Sequence, residues 1–150
     1  MRCTGMKCIT RVFCLLSLIS MVRAQSLPVG TWVRRPNNDG VNATLIIEAA
    51  GTGRKLTFKV QVAGGASTTM VVTTQMDGKD AQVSVDGKPS GQTMAMRMLD
   101  DRHIVNVLKI NGNTMATQKS EISPDGKMIK TDTTASVPGQ QNGTEYWDKK

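Results

Sequence analysis

No cysteine follows Cys14, so most of the chain can form neither a disulfide framework, a Cys-x-x-Cys redox pair nor a thiolate-ligated metal centre. Histidine is almost as scarce. His103 stands alone, which removes the His-x-x-x-His spacing of zinc sites, and no Gly-x-Ser-x-Gly elbow supplies a nucleophile for it to activate. Beyond Phe13 the aromatics are Trp32, Phe58, Tyr146 and Trp147, too few for the stacking platform of a single-stranded nucleic-acid binder. Helical periodicity is absent past residue 24. The one long apolar run, Val12 to Val22, is shorter than the about 20 residues a spanning helix needs.

That run has a different meaning. Arg2, Lys7 and Arg11 precede it as a basic n-region, and Val22-Arg23-Ala24 places small residues at the minus-3 and minus-1 positions of a cleavage site. Residues 1–24 therefore read as a signal peptide and residues 25–150 as one exported domain, secreted or periplasmic. Cys14 sits inside the apolar run rather than after the small residues, which argues against a lipid anchor. Removing Arg2, Lys7, Arg11 and Arg23 leaves 15 basic and 12 acidic residues, so the net charge falls from +7 to +3. Basic residues such as Arg34-Arg35 and Arg54-Lys55 are interleaved with acids and read as solvated surface, with no nucleic-acid partner and no stable membrane insertion expected.

What is plentiful is turn chemistry. Asp39-Gly40, Asp77-Gly78, Asp86-Gly87, Asn111-Gly112, Asp125-Gly126 and Asn142-Gly143 suit the left-handed positions of tight hairpins, and Gly51-Thr52-Gly53 and Gly64-Gly65 add two more. Between them lie Gly30–Val33, Ala43–Ala49, Lys55–Val62, Thr68–Met76, Ala81–Val85, Gln92–Leu99, His103–Ile110, Thr114–Ile122, Lys127–Ala135 and Thr144–Asp148. Alternation is clearest where Leu56, Phe58, Val60 and Val62 oppose Thr57, Lys59 and Gln61. Between Thr114 and Ala135 it breaks down, because Met115 and Met128 fall out of phase with Ala116, Ile122 and Ile129; a bulge or an exposed strand accounts for the break.

Ten hairpin-linked strands with one apolar face either close into a barrel or stack as a sandwich. Closure removes exposed edges, whereas sandwiches use longer crossovers and often a core disulfide. The fold expected is all-β, an up-and-down antiparallel barrel of about ten strands. Gly30-Thr31-Trp32 at the start of the first strand resembles the Gly-x-Trp signature of lipocalins and other calycin barrels. Together with Asp100-Asp101-Arg102-His103-Ile104-Val105, Ser123-Pro124-Asp125-Gly126-Lys127 and the terminal Tyr146-Trp147-Asp148-Lys149, the chain is similar to small secreted bacterial lipocalin-like proteins. The resemblance implies that Trp32 closes one end of the barrel. It also implies departures: the arginine that packs over that tryptophan is replaced by Lys149 or Lys150. The Arg-x-Tyr of fatty-acid-binding barrels has Thr144 before Tyr146, which argues against fatty-acid capture, and Arg34 to Asn42 leaves no room for a two-helix lid.

Met94, Met96 and Met98 share one strand face. Thioethers are soft ligands suited to Cu(I), but methionine more often lines a pliable core or an adaptable pocket, and no metal or other cofactor is expected. Burying this row costs less than burying Arg97, which is therefore read as solvent-facing. Asp100 with Asp101 and Glu121 with Asp132 are the available carboxylate pairs, and they read as turn and surface residues; Gly51-Thr52-Gly53-Arg54-Lys55 joins strands and lacks the helix of a phosphate loop. Asn42-Ala43-Thr44 and Asn142-Gly143-Thr144 match glycosylation sequons, relevant only in a eukaryotic secretory pathway. The chain is read as a non-enzyme. The first functional expectation is a barrel holding a small apolar or amphiphilic molecule among Phe58, Val60, Met70, Val72, Met94, Met96, Met98, Ile104, Asn106 and Leu108, with Thr74 as a further polar contact. The alternative is a barrel filled by its own side chains that serves a structural or protein-interaction role in the cell envelope.

Overall fold

The computed structural model describes residues 27–150. The expected signal peptide, residues 1–24 with Cys3, Cys8 and Cys14, lies outside the described residues, as does Gln25. Ten strands follow one another: β1 (Gly30–Arg34), β2 (Val41–Ala50), β3 (Gly53–Val62), β4 (Ser67–Thr74), β5 (Asp77–Val85), β6 (Lys88–Met98), β7 (His103–Ile110), β8 (Asn113–Ile122), β9 (Met128–Ala135) and β10 (Gly143–Lys149). Each pairs antiparallel with its sequence neighbours. β1 also pairs with β10, with Trp32 opposite Lys149 and Arg34 opposite Trp147, so the sheet closes and no edge strand is left. The all-β, up-and-down barrel expected from the hairpin punctuation is the fold observed.

The turns explain the register. At Asp86-Gly87 (φ 47° and 77°) and Asn111-Gly112 (φ 49° and 81°) both residues are left-handed, the geometry whose twist matches the flanking strands. Asp77-Gly78 acts otherwise. The β4–β5 turn falls on Gln75-Met76, where Met76 takes φ 59° and its N–H donates to Thr74 Oγ1 at 3.0 Å. Gly78 (φ 84°) instead lies inside β5, at the register shift between Asp77 and Asp80, so the fifth strand begins before the expected Ala81. In the last loop the left-handed residue is Gly139 (φ 85°) rather than Gly143, while Asn142 Oδ1 accepts the N–H of Ala135 at 2.9 Å.

The unreadable stretch between Thr114 and Ala135 resolves through a bulge. Leu108 faces Ala116 and Lys109 faces Thr114, which leaves Met115 as the extra residue. Downstream of it Ala116, Gln118, Ser120 and Ile122 face the lumen on β8, joined by Ile129 and Thr131 on β9. Half of that face is polar, which is why apolar alternation could not find it.

The barrel has two unlike ends. Where β1 begins and β10 stops, Trp32 is wholly buried beside Leu27, whose carbonyl accepts a hydrogen bond from Arg54 Nε at 2.7 Å. The other end carries the β1–β2, β3–β4, β5–β6, β7–β8 and β9–β10 connections. Near the Trp32 end, Gly53 approaches β4 so closely that an added Cβ would overlap the carbonyl of Thr74. Because that obstacle is backbone, Gly53→Ala is expected to lower stability by about 1–3 kcal/mol or more, read as a lower urea midpoint at unchanged slope.

Candidate ligand-binding lumen

The ten candidate residues all lie on inward strand faces, and two spaces sort them. An inner chamber of about 70 Å³ is bordered by Phe58, Met96, Ile104 and Asn106 together with Leu27, Leu45, Ile47 and Leu56. A cleft of about 360 Å³ at the end that carries the β1–β2 connection is bordered by Phe58, Val60, Met70, Met94 and Leu108. Val72 and Met98 border neither; they pack in the buried core. Phe58, Gln118, Glu145 and Trp147 line both spaces and so form the partition between them. Within it the Phe58 and Trp147 rings meet edge to face, 6.5 Å apart at 74°.

The methionine row divides by depth. Met94 lines the cleft, Met96 the chamber and Met98 the core, and successive inward residues on a strand stand about 6.6 Å apart. Among the described residues no group of three or more His, Cys, Asp and Glu converges as a metal site. Arg97 is exposed, as its neighbours' inward orientation requires. His103 opens β7 on the outer surface with Nδ1 2.8 Å from the Asp100 carboxylate.

Arg34 departs from the solvated-surface placement that its adjacency to Arg35 predicts: it stays in phase with Trp32, faces the lumen and is only 8% exposed. Nη1 donates to Asp39 Oδ1 (3.2 Å) and to the Val41 carbonyl (2.9 Å); Nη2 donates to Asp39 Oδ2 (2.6 Å) and lies 2.9 Å from Glu145 Oε1. The hydrogen bond to Asp39 is the main reason the guanidinium pKa is raised, and the same contact, aided by the Val41 N–H, holds the Asp39 carboxyl far below its ordinary range. Arg35 remains outside, bonded through Nε to Asp148 at 2.7 Å and stacked 5.4 Å from the centre of the Tyr146 ring. A sequence signal existed: Arg34 is two residues beyond Trp32, and Glu145 two before Trp147.

A polar wall continues from this cluster. Asn106 Nδ2 donates to Gln118 Oε1 (3.0 Å), Gln118 Nε2 to Thr133 Oγ1 (3.3 Å), and the hydroxyls of Ser120 and Thr131 share a hydrogen bond of 2.8 Å. Asn106 Oδ1 and Arg34 Nε are buried without a protein partner. The lumen is thus mixed: β2 and β3 present aliphatic and aromatic side chains, β7, β8 and β9 intersperse amides and hydroxyls among Ile104, Leu108 and Ile129, and β10 carries Glu145 beside Trp147.

At the opposite end Lys149 Nζ stands 5.5 Å from the centre of the Trp32 ring, and its chain runs so close to Gly30 that a Cβ there would meet Lys149 Cε at 2.8 Å. No family model, curated protein or solved structure matches the chain significantly. What its geometry establishes is a closed ten-stranded antiparallel barrel, an architecture compatible with a calycin-like fold.

Proposed function

We propose that the protein is an exported binding protein whose barrel holds a small amphiphilic molecule, with no covalent chemistry. The observation that carries this is the pair of spaces sharing one wall of mixed apolar and polar residues, about 360 Å³ at the mouth and about 70 Å³ within. A barrel filled only for stability has no use for a buried guanidinium, two carboxylates and a chain of amides along its lumen, since such groups cost desolvation that hydrocarbon would avoid. We read the barrel as lipocalin-like: Trp32 closes one end, and Lys149 covers its indole as arginine does in that family. Export follows from the basic n-region, apolar run and Val22-Arg23-Ala24 site. The outward row Lys55, Thr57, Lys59 and Gln61 suits water rather than acyl chains.

Native mass spectrometry of protein purified from its own host, followed by organic extraction, tests the reading. A reproducible small-molecule adduct is expected. Met96→Trp, which fills the inner chamber, should abolish the adduct at an overpacking cost of about 1–3 kcal/mol, whereas Lys59→Ala on the outer face should retain it. A bare mass combined with no uptake of a neutral hydrophobic dye overturns the reading in favour of a filled, protein-interaction barrel.

A further inference from the structure

Resting on the carrier reading, we infer that the molecule held in the lumen carries a cationic ammonium head rather than a carboxylate. The charged side chains bordering the two spaces are Arg34, Asp39 and Glu145, one cation against two anions, and no lysine or second arginine borders either. The guanidinium is already engaged through both terminal nitrogens by Asp39, Val41 and Glu145. A ligand carboxylate would have to displace one of these carboxylates, and it would enter a cluster whose formal charge is already −1.

An ammonium group meets the reverse situation. Glu145 borders both spaces and shares Arg34 with Asp39, so it retains negative charge toward the partition. Deeper on the same wall, Asn106 Oδ1 is a buried acceptor with no protein donor, in a residue only 5% exposed. A donor-bearing head placed along this wall satisfies an orphaned acceptor and offsets the surplus charge together, while its tail faces Leu45, Ile47, Leu56 and Phe58. The unpaired Arg34 Nε belongs to a cation whose charge the two carboxylates exceed, so it does not by itself recruit an anion.

The tail-matched probes octylammonium, octanol and octanoate, each below its aggregation concentration, test the inference by displacement of a neutral naphthylamine dye from the purified protein. Octylammonium is expected to bind tighter than octanoate by about tenfold or more, with octanol between, as one surplus charge at partly buried range allows. Glu145→Gln should erase most of that preference while leaving octanol unchanged, and Asp39→Asn, on the exposed β1–β2 loop, should shift the ratio in the same direction. Octanoate equal to or tighter than octylammonium in the unmodified protein overturns the head-group assignment and leaves the cavity reading standing. Failure of the dye and of all three probes to bind overturns the carrier reading itself, and this inference with it.

Discussion

Trp32→Ala is expected to destabilise the barrel by about 3–5 kcal/mol, a large part of the roughly 5–15 kcal/mol that holds a domain of this size together. Trp32 is 0% exposed, and it is the largest wholly buried side chain among the described residues. The other rings of the core, Trp147 and Phe58, are packed edge to face against each other, so neither moves into the void without giving up that contact. Lys149 supplies only part of the effect, since a cation over an indole contributes about 0.5–1 kcal/mol near the surface. Lys149→Met should therefore be mild. Trp32→Phe should also cost far less than Trp32→Ala, because it keeps most of the ring and removes an indole N–H that is buried without a partner. Urea midpoints for the three variants, compared at constant slope, check the ranking; Trp32→Ala within 1 kcal/mol of the parent would mean that this end of the barrel is not held by the indole.

The same tryptophan marks how far the sequence could be read. Asp-Gly and Asn-Gly pairs impose left-handed backbone, and Leu56-Thr57-Phe58-Lys59-Val60 alternates without exception, so the strand number, the meander and the inner faces of β3 and β6 were legible. Such signals are local. Legibility failed where the lumen is polar: Gln118, Ser120 and Thr131 look like solvent-facing residues until the bulge at Met115 fixes the phase of β8. It also failed at Arg34, because arginine is so often exposed that adjacency to Arg35 outweighed the period-two link to Trp32. Its buried position depends on Asp39 and Glu145, five and 111 residues away, and the second of these pairings exists only once β1 closes against β10. The apolar half of the candidate site, and Asn106 in its polar half, were therefore visible from patterning; Arg34, Glu145 and the β8 and β9 residues of that polar half were not.

That polar half makes the second large prediction. Arg34→Met should destabilise the fold by about 2–3 kcal/mol, less than the about 3–5 kcal/mol typical when both partners of a buried pair are shut from water. The discount reflects the carboxylates, whose side chains are 41% (Asp39) and 30% (Glu145) exposed and can turn partly to solvent. Methionine keeps the volume of the arginine stem, so the loss reports on Glu145 left without its cation against Phe58 and Trp147 rather than on a cavity. Arg34→Met/Glu145→Leu should consequently recover a substantial share of it, since replacing both charges removes the orphan. Acid supplies an independent check. The Asp39 carboxyl has a pKa below its unfolded value, so the stability it contributes is fully present above the ordinary carboxylate pKa and is lost as the pH falls toward the folded value. Arg34→Met loses the larger share of this contribution at every pH and keeps what the Val41 N–H supplies. The difference in melting temperature between parent and variant should hold steady near neutrality and narrow below about pH 4; a difference that widens on acidification would show that Arg34 stabilises the barrel by packing and not through its carboxylates.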